Sequence, residues 1–293
     1  MPFHEYPFES RYLTVDGVRI HYIDEGRGEP VLLLHGNPTW SYLYRKMVPP
    51  LVKAGLRAVA PDLMGFGLSD KPHDRRYTFS EHADIIAGFI TQLGLKKLTL
   101  VGQDWGGPIG LDYAVKHKEN IARLVLMNTF VEPPAGLPPL FRLLCRTPVL
   151  SDVVVRRLDR FRKGMLSRGT FTNLTKDVRR EYLARHPDYA SRIGVAKFLK
   201  LIPLSPRAEA YAPLRAIHDE MLQWKAPVLL LYADNDIAFG EETGQRLQRS
   251  LPNARLVIVE QAGHFLQEDR PDFLADAIIR FIAETGSVTA KAS

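Results

Sequence analysis

Val101-Gly102-Gln103-Asp104-Trp105-Gly106-Gly107 is the stretch on which the reading of this chain turns. It has the spacing of a nucleophile elbow, a strand-to-helix turn so tight that the residues two positions either side of the exposed side chain must be small. Gly102 and Gly106 meet that demand, and Asp104 stands where such elbows usually carry serine. Lys97 to Val101 reads as a buried strand and Gly107 to Lys118 as a helix, which is the context the motif requires. An aspartate that merely caps a helix after a strand accounts for the same seven residues. The partners decide between the two.

Downstream, Pro227 to Tyr232 is a continuous apolar run of the kind found in a parallel strand covered on both faces, and it ends in Ala233-Asp234-Asn235-Asp236. Ala254 to Val259 is another, followed by Gln261-Ala262-Gly263-His264. Nucleophile, then acid, then histidine, each just past the carboxyl end of a strand, is the chain order of a hydrolytic triad. Eight other histidines are present, and His264 is singled out by position. Asp236 is the expected acid, because it lies deeper in its loop than Asp234 and can reach Nδ1 of the imidazole.

An ionised carboxylate at the elbow can displace a leaving group from an sp3 carbon and form an alkyl ester, whereas serine would form an ether that water does not readily cleave. His264 then serves the second step, as general base on a water attacking the Asp104 carboxyl carbon, with Asp236 holding the tautomer. The oxyanion of that step calls for backbone N–H donors from Trp105 and from the loop after Val31 to Leu34. That loop reads His35-Gly36-Asn37-Pro38-Thr39-Trp40 and precedes a helix expected from about Ser41 to Gly55. The Asn37 amide and the Trp105 indole are N–H donors beside a carboxylate, the chemistry a departing halide needs. Asn37 as a turn former before Pro38, and Trp105 as core packing, are the plainer alternatives.

On His35-Gly36-Asn37-Pro38-Thr39-Trp40-Ser41-Tyr42-Leu43-Tyr44-Arg45, Pro61-Asp62-Leu63-Met64-Gly65-Phe66-Gly67-Leu68-Ser69-Asp70-Lys71-Pro72, Gly102 to Gly107 and the His264 segment, the chain resembles the haloalkane dehalogenase family. These segments span nearly its whole length. The resemblance implies an α/β-hydrolase fold, a mostly parallel eight-stranded sheet with helices on both faces and an inserted helical cap, and hydrolysis of haloalkanes through an alkyl-aspartate ester without cofactor or metal. Some members hold the halide with a cap tryptophan. Here Trp occurs only at Trp40, Trp105 and Trp224, so the resemblance implies Asn37 and Trp105 as halide ligands. The alternative acid position of the family is occupied by Asn128, which implies Asp236, with Glu132 close by. This set is similar to the third subfamily, whose members are often reported as oligomeric; monomer and homo-oligomer both stay open.

The punctuation of the chain sets the domain organisation. Tyr12 to Val15 and Val18 to Asp24, joined by Asp16-Gly17, read as a hairpin, followed by apolar strands at Val31–Leu34, Ala58–Ala60, Leu98–Val101 and Leu124–Met127. Thr78 to Leu93 is the clearest helix, with Phe79, Ala83, Ile86, Ile90 and Leu93 on one face. From Thr129 the alternation stops. Glu132-Pro133-Pro134 and Pro138-Pro139 break the chain, and no buried strand follows until Pro227. The expected division is therefore 1–128 and 213–293 for the core, with 129–212 as the cap.

Composition bounds the rest. At 293 residues and 45% apolar, the chain suits one core with an insertion, and no apolar run approaches spanning length. With one cysteine, Cys145, and an amino-terminal Met1-Pro2-Phe3-His4-Glu5-Tyr6 that lacks a basic and apolar leader pattern, a cytoplasmic location is expected. The net charge of +6 is uneven: Phe130 to Ala210 holds 16 Lys and Arg against 7 Asp and Glu, or +9, leaving −3 for the remainder. A basic stretch invites a nucleic-acid reading, but these arginines are scattered at helical spacing among apolar residues and no phosphate loop is present. The expected partners are a small apolar halogenated substrate, halide and water, with neither nucleic acid nor membrane.

Two other readings compete. An epoxide hydrolase would share the Asp nucleophile and the following Trp, but would need acidic donors for an alkoxide, with Tyr182, Tyr189 and Tyr211 as candidates; Asn37 argues against it. A binding protein that keeps the fold without turnover would not need the five polar residues together.

Overall fold

In a computed structural model, residues 3–132, 139–251 and 253–289 are described. Met1, Pro2 and the expected chain breaks Pro133, Pro134 and Pro138 lie outside the described residues.

Eight strands form one sheet: β1 (Arg11–Val15), β2 (Val18–Glu25), β3 (Pro30–Leu34), β4 (Arg57–Pro61), β5 (Leu98–Asp104), β6 (Ile121–Thr129), β7 (Val228–Ala233) and β8 (Ala254–Val259). Their order is β1-β2-β4-β3-β5-β6-β7-β8, antiparallel only where β2 meets β1 and β4. The Asp16-Gly17 hairpin forms with Val15 opposite Val18. Alternation along the strands feeds two cores. Leu32, Leu34, Leu100, Leu124, Leu126 and Leu230 join one cluster, while Val31, Leu33, Val101, Val125, Leu229 and Leu231 join the other. Burial on both faces is why these strands read as unbroken apolar runs.

The helices are α1 (Val48–Lys53), α2 (Phe79–Gln92), α3 (Gly106–Lys116), α4 (Pro139–Arg146), α5 (Pro148–Ser151), α6 (Arg160–Arg168), α7 (Lys176–Ala184), α8 (Ile193–Leu201), α9 (Tyr211–Met221), α10 (Glu241–Ser250), α11 (Leu266–Asp269) and α12 (Pro271–Thr289). α2 starts as its sequence demands: the Thr78 hydroxyl accepts from the Glu81 N–H, and the Glu81 carboxylate reaches back to the Tyr77 N–H. The single helix expected from Ser41 to Gly55 is instead a 3-10 turn at Ser41–Tyr44 followed by α1. Pro49 and Pro50 explain the division, since proline has no N–H to continue an earlier turn but is tolerated in the first turn of a new helix.

Between Thr129 and Val228 the described residues contain helices and no strand. Two polar clamps fasten these helices to the segments around the sheet. Arg45 forks onto Glu268 (2.5 and 3.0 Å), which also accepts from the Tyr182 hydroxyl of α7. Asp269 accepts from the N–H groups of Phe171, Thr172 and Gly263. Among the described residues no helix is long and apolar enough to cross a membrane.

Candidate active site

The carboxyl ends of β3, β5, β7 and β8 converge on one place, because parallel neighbours in a sheet deliver their following loops to the same edge. Asp104 is the last residue of β5, with φ of +50° in the left-handed region that L-residues rarely adopt. A Cβ on Gly106 would lie 2.2 Å from the Leu34 carbonyl oxygen, and one on Gly102 2.6 Å from Gly107 Cα, so the elbow closes only with these two glycines. Thr129 Oγ1 donates to the Asp104 carbonyl (2.6 Å) and holds the turn from the β6 side.

The Asp104 carboxylate is buried and receives the backbone N–H of Asn37 at 2.7 Å and that of Trp105. Gly36 allows this approach, since a Cβ there would meet Asp104 Oδ1 at 2.2 Å. His35 anchors the loop: its Nδ1–H donates to the Gly36 carbonyl, and Nε2 accepts from the Leu63 N–H (both 2.9 Å). Burial raises the Asp104 pKa from its ordinary value, and the pull of His264 and of the two N–H groups offsets this only in part.

His264 Nε2 is 3.8 Å from Asp104 Oδ2, and Nδ1 is 3.0 and 3.1 Å from the two carboxylate oxygens of Asp236. In the neutral imidazole Nδ1–H donates to Asp236, so Nε2 carries the lone pair that faces the nucleophile. Burial lowers the imidazole pKa, but Asp236 and then Asp104 raise it more, for a net upward shift. Asp236 is thus brought to the histidine. Asp234 is not: it accepts from the N–H groups of Gln261 and Ala262. Glu132 pairs with Arg246 (3.0 Å) and lies near His218. Asn128 links strands, accepting from the Ala233 N–H and donating to the Gly263 and His264 carbonyls.

Trp105 is buried among the rings of Phe79, Phe130 and Phe198. The Asn37 side chain donates through Nδ2 to the Val195 carbonyl of α8 (3.3 Å), which leaves one of its two N–H bonds uncommitted, and its Oδ1 is buried without a partner. Phe198, one helical turn after Val195, stands edge-on to Trp105 with ring centroids 5.8 Å apart. α8 therefore packs against both Asn37 and Trp105. This placement of α8 is not legible in its sequence, because the periodicity marks a buried face without saying what that face covers.

Two of the tyrosines considered as alkoxide donors are engaged elsewhere. Tyr182 donates to Glu268, and Tyr189 donates to Asp152 at the surface. Tyr182 is held far above the ordinary phenol range by burial and by Glu268. Cys145 is buried and its thiol pushed up to about 12, an interior residue rather than a nucleophile. Among the described residues no group of three or more His, Cys, Asp or Glu is arranged to hold a metal.

With this geometry in hand, the relatives are informative. The alpha/beta hydrolase fold family matches residues 29–271. A haloalkane dehalogenase of Mycobacterium tuberculosis is 39% identical over 94% of this chain and 95% of its own. The chain belongs to the haloalkane dehalogenase family. A solved haloalkane dehalogenase from Bradyrhizobium elkani superimposes with a TM-score of 0.90 at 25% identity, covering 96% of this chain and 99% of that one. A cis-3-alkyl-4-alkyloxetan-2-one decarboxylase of Shewanella oneidensis is 35% identical over 95% of this chain and 90% of its own. Haloalkane dehalogenases are hydrolases acting on carbon–halogen bonds, and the family match with the engaged tyrosines disfavours the epoxide reading.

Proposed function

We propose that the protein hydrolyses small apolar haloalkanes to alcohol and halide, with Asp104 as nucleophile, His264 as base, Asp236 as its partner, and Asn37 and Trp105 as halide ligands. The observation that carries this reading is a buried carboxylate held by backbone N–H groups, with Nε2 of His264 3.8 Å away and Nδ1 of the same ring on Asp236. In the first step an Asp104 oxygen attacks the carbon bearing the halogen, the carbon–halogen bond breaks with its electron pair, and the halide leaves toward the Asn37 and Trp105 N–H donors. Halide is too weak a base to need a proton, so hydrogen bonds suffice.

In the second step water attacks Cγ of the ester and passes a proton to His264 Nε2, while the backbone N–H groups of Asn37 and Trp105 stabilise the oxyanion. Collapse releases the alcohol and regenerates the carboxylate. Esterification removes the negative charge of Asp104, one of the two influences that raise the His264 pKa. The ester thus makes its own base more available in the neutral form.

Residues 129–212 are the cap in this account and 1–128 with 213–293 the core. A cytoplasmic enzyme fits a chain whose one cysteine is buried and unpaired.

The test is a parallel panel of 1-bromobutane, 1,2-dibromoethane, styrene oxide and a cis-3,4-dialkyloxetan-2-one, followed by halide, diol and alkene detection without added metal. Halide release supports the proposal. Diol alone would support the epoxide reading. The lactone is included because of the Shewanella oneidensis relative, and alkene with carbon dioxide but no halide would replace the proposal by decarboxylation.

A further inference from the structure

Gln103 precedes the nucleophile and is almost fully buried, yet it points toward the base rather than into the core. Its Nε2 lies 3.3 Å from His264 Nε2 and 3.3 Å from the His264 carbonyl oxygen, and its Oε1 is buried with no partner. The carbonyl fixes the amide orientation. An oxygen needs a donor, so the NH2 and not the carbonyl of Gln103 must face the backbone of His264. The same NH2 then presents its second N–H to the imidazole. Because Asp236 takes the Nδ1 proton, Nε2 accepts it.

We infer that Gln103 is a positioning residue that keeps His264 neutral. Protonating Nε2 would set an N–H against an N–H in a dry site, losing one hydrogen bond and creating a repulsion. It would harm the hydrolytic step, since no lone pair would remain to take a proton from water. Every charged group that faces the ring is already negative: Asp236 from the loop after β7 and Asp104 from the end of β5. Both favour the imidazolium. The rings of Phe239 and Phe265, which also flank it, carry no charge. Gln103 is the opposing influence, and the hydrolytic water takes the place of its N–H on the lone pair when it docks. The bond to the His264 carbonyl keeps the amide in place meanwhile.

This inference rests on His264 being the base of the proposed mechanism. Gln103→Met removes the N–H at similar volume, and Gln103→Glu replaces it by an acceptor. Loss of one such bond should move the His264 titration upward by about one pH unit, and Glu further. The readouts are the His264 Cε1–H titration by NMR in the free enzyme and the pH dependence of ester hydrolysis in single turnover with 1-bromobutane. The expected result is an acid limb displaced toward higher pH in both variants, with the alkaline plateau rate less affected than the rate at pH 6.

Equal slowing at every pH, with an unchanged titration, would reduce Gln103 to a structural residue and overturn the inference. If Gln103→Met does not fold, Gln103→Glu carries the same titration test. Full turnover in His264→Phe would instead defeat the mechanism itself, so the two failures are distinct.

Discussion

Exchanging Asp236 for asparagine separates the two chemical steps. In the native site the Asp236 side chain is fully buried, and both of its oxygens lie 3.0 to 3.1 Å from His264 Nδ1. A charge-assisted hydrogen bond of this kind contributes about 1.5–3 kcal/mol, which sets the loss in the hydrolytic step at roughly 10- to 150-fold. An amide can also turn its NH2 to the ring, forcing the proton onto Nε2, and the corresponding exchange in serine hydrolases costs about 10⁴-fold. Ester hydrolysis should therefore fall by between about 10 and 10⁴. Attack by Asp104 needs neither a base nor a charged histidine, so it should fall far less. Rapid quench with 1-bromobutane would read a halide burst near one per site followed by slow turnover. Equal slowing of burst and turnover would refute the assignment of Asp236 and His264 to the second step alone.

Asn37→Ala and Trp105→Phe each remove an N–H donor that strengthens as halide departs, so the burst rate should fall by about 2–4 kcal/mol, or roughly 30- to 1000-fold; an unchanged burst and unchanged bromide quenching of Trp105 fluorescence in Asn37→Ala would exclude Asn37 as a ligand. Arg45→Met leaves Glu268 buried with Tyr182 and Lys46 only, and should cost about 3–5 kcal/mol in urea unfolding; a change under about 1 kcal/mol would mean that the clamp is solvated. In the pH dependence, hydrolysis requires neutral His264 and so rises with pH. Because the ester lacks the Asp104 charge, the limb for hydrolysis should lie below the His264 titration of the free enzyme; a limb at or above that titration would contradict the role given to Asp104.

The grouping of Asp104, Asp236 and His264 was legible because each lies at or just past the carboxyl end of a strand, and strands buried on both faces announce themselves as apolar runs. Val228–Ala233 and Ala254–Val259 delivered Asp236 and His264 to the same sheet edge as Asp104, in the order the sequence suggested. The choice of Asp236 over Asp234 followed from loop depth alone, and the backbone N–H groups that occupy Asp234 explain it. What the sequence could not provide was contact between distant segments. The Asn37–Val195 bond joins residues 158 apart and depends on how α8 lies across the site. Arg45–Glu268–Tyr182 unites three segments whose charges read, one at a time, as ordinary surface residues. Gln103 lies within the elbow, but its contact with His264 joins residues 161 apart and depends on how the two loops meet. The helix after Ser41 was misjudged because two consecutive prolines start a helix as readily as they end one.

The account stands on a covalent ester at Asp104, and intact-protein mass spectrometry of His264→Phe after exposure to 1-bromobutane tests it most directly. Removing the base should trap the intermediate, giving a protein heavier by one butyl group, with the added mass on the peptide that contains Asp104 and one bromide released per site. Steady turnover in that variant, or an adduct on any other residue, would contradict it.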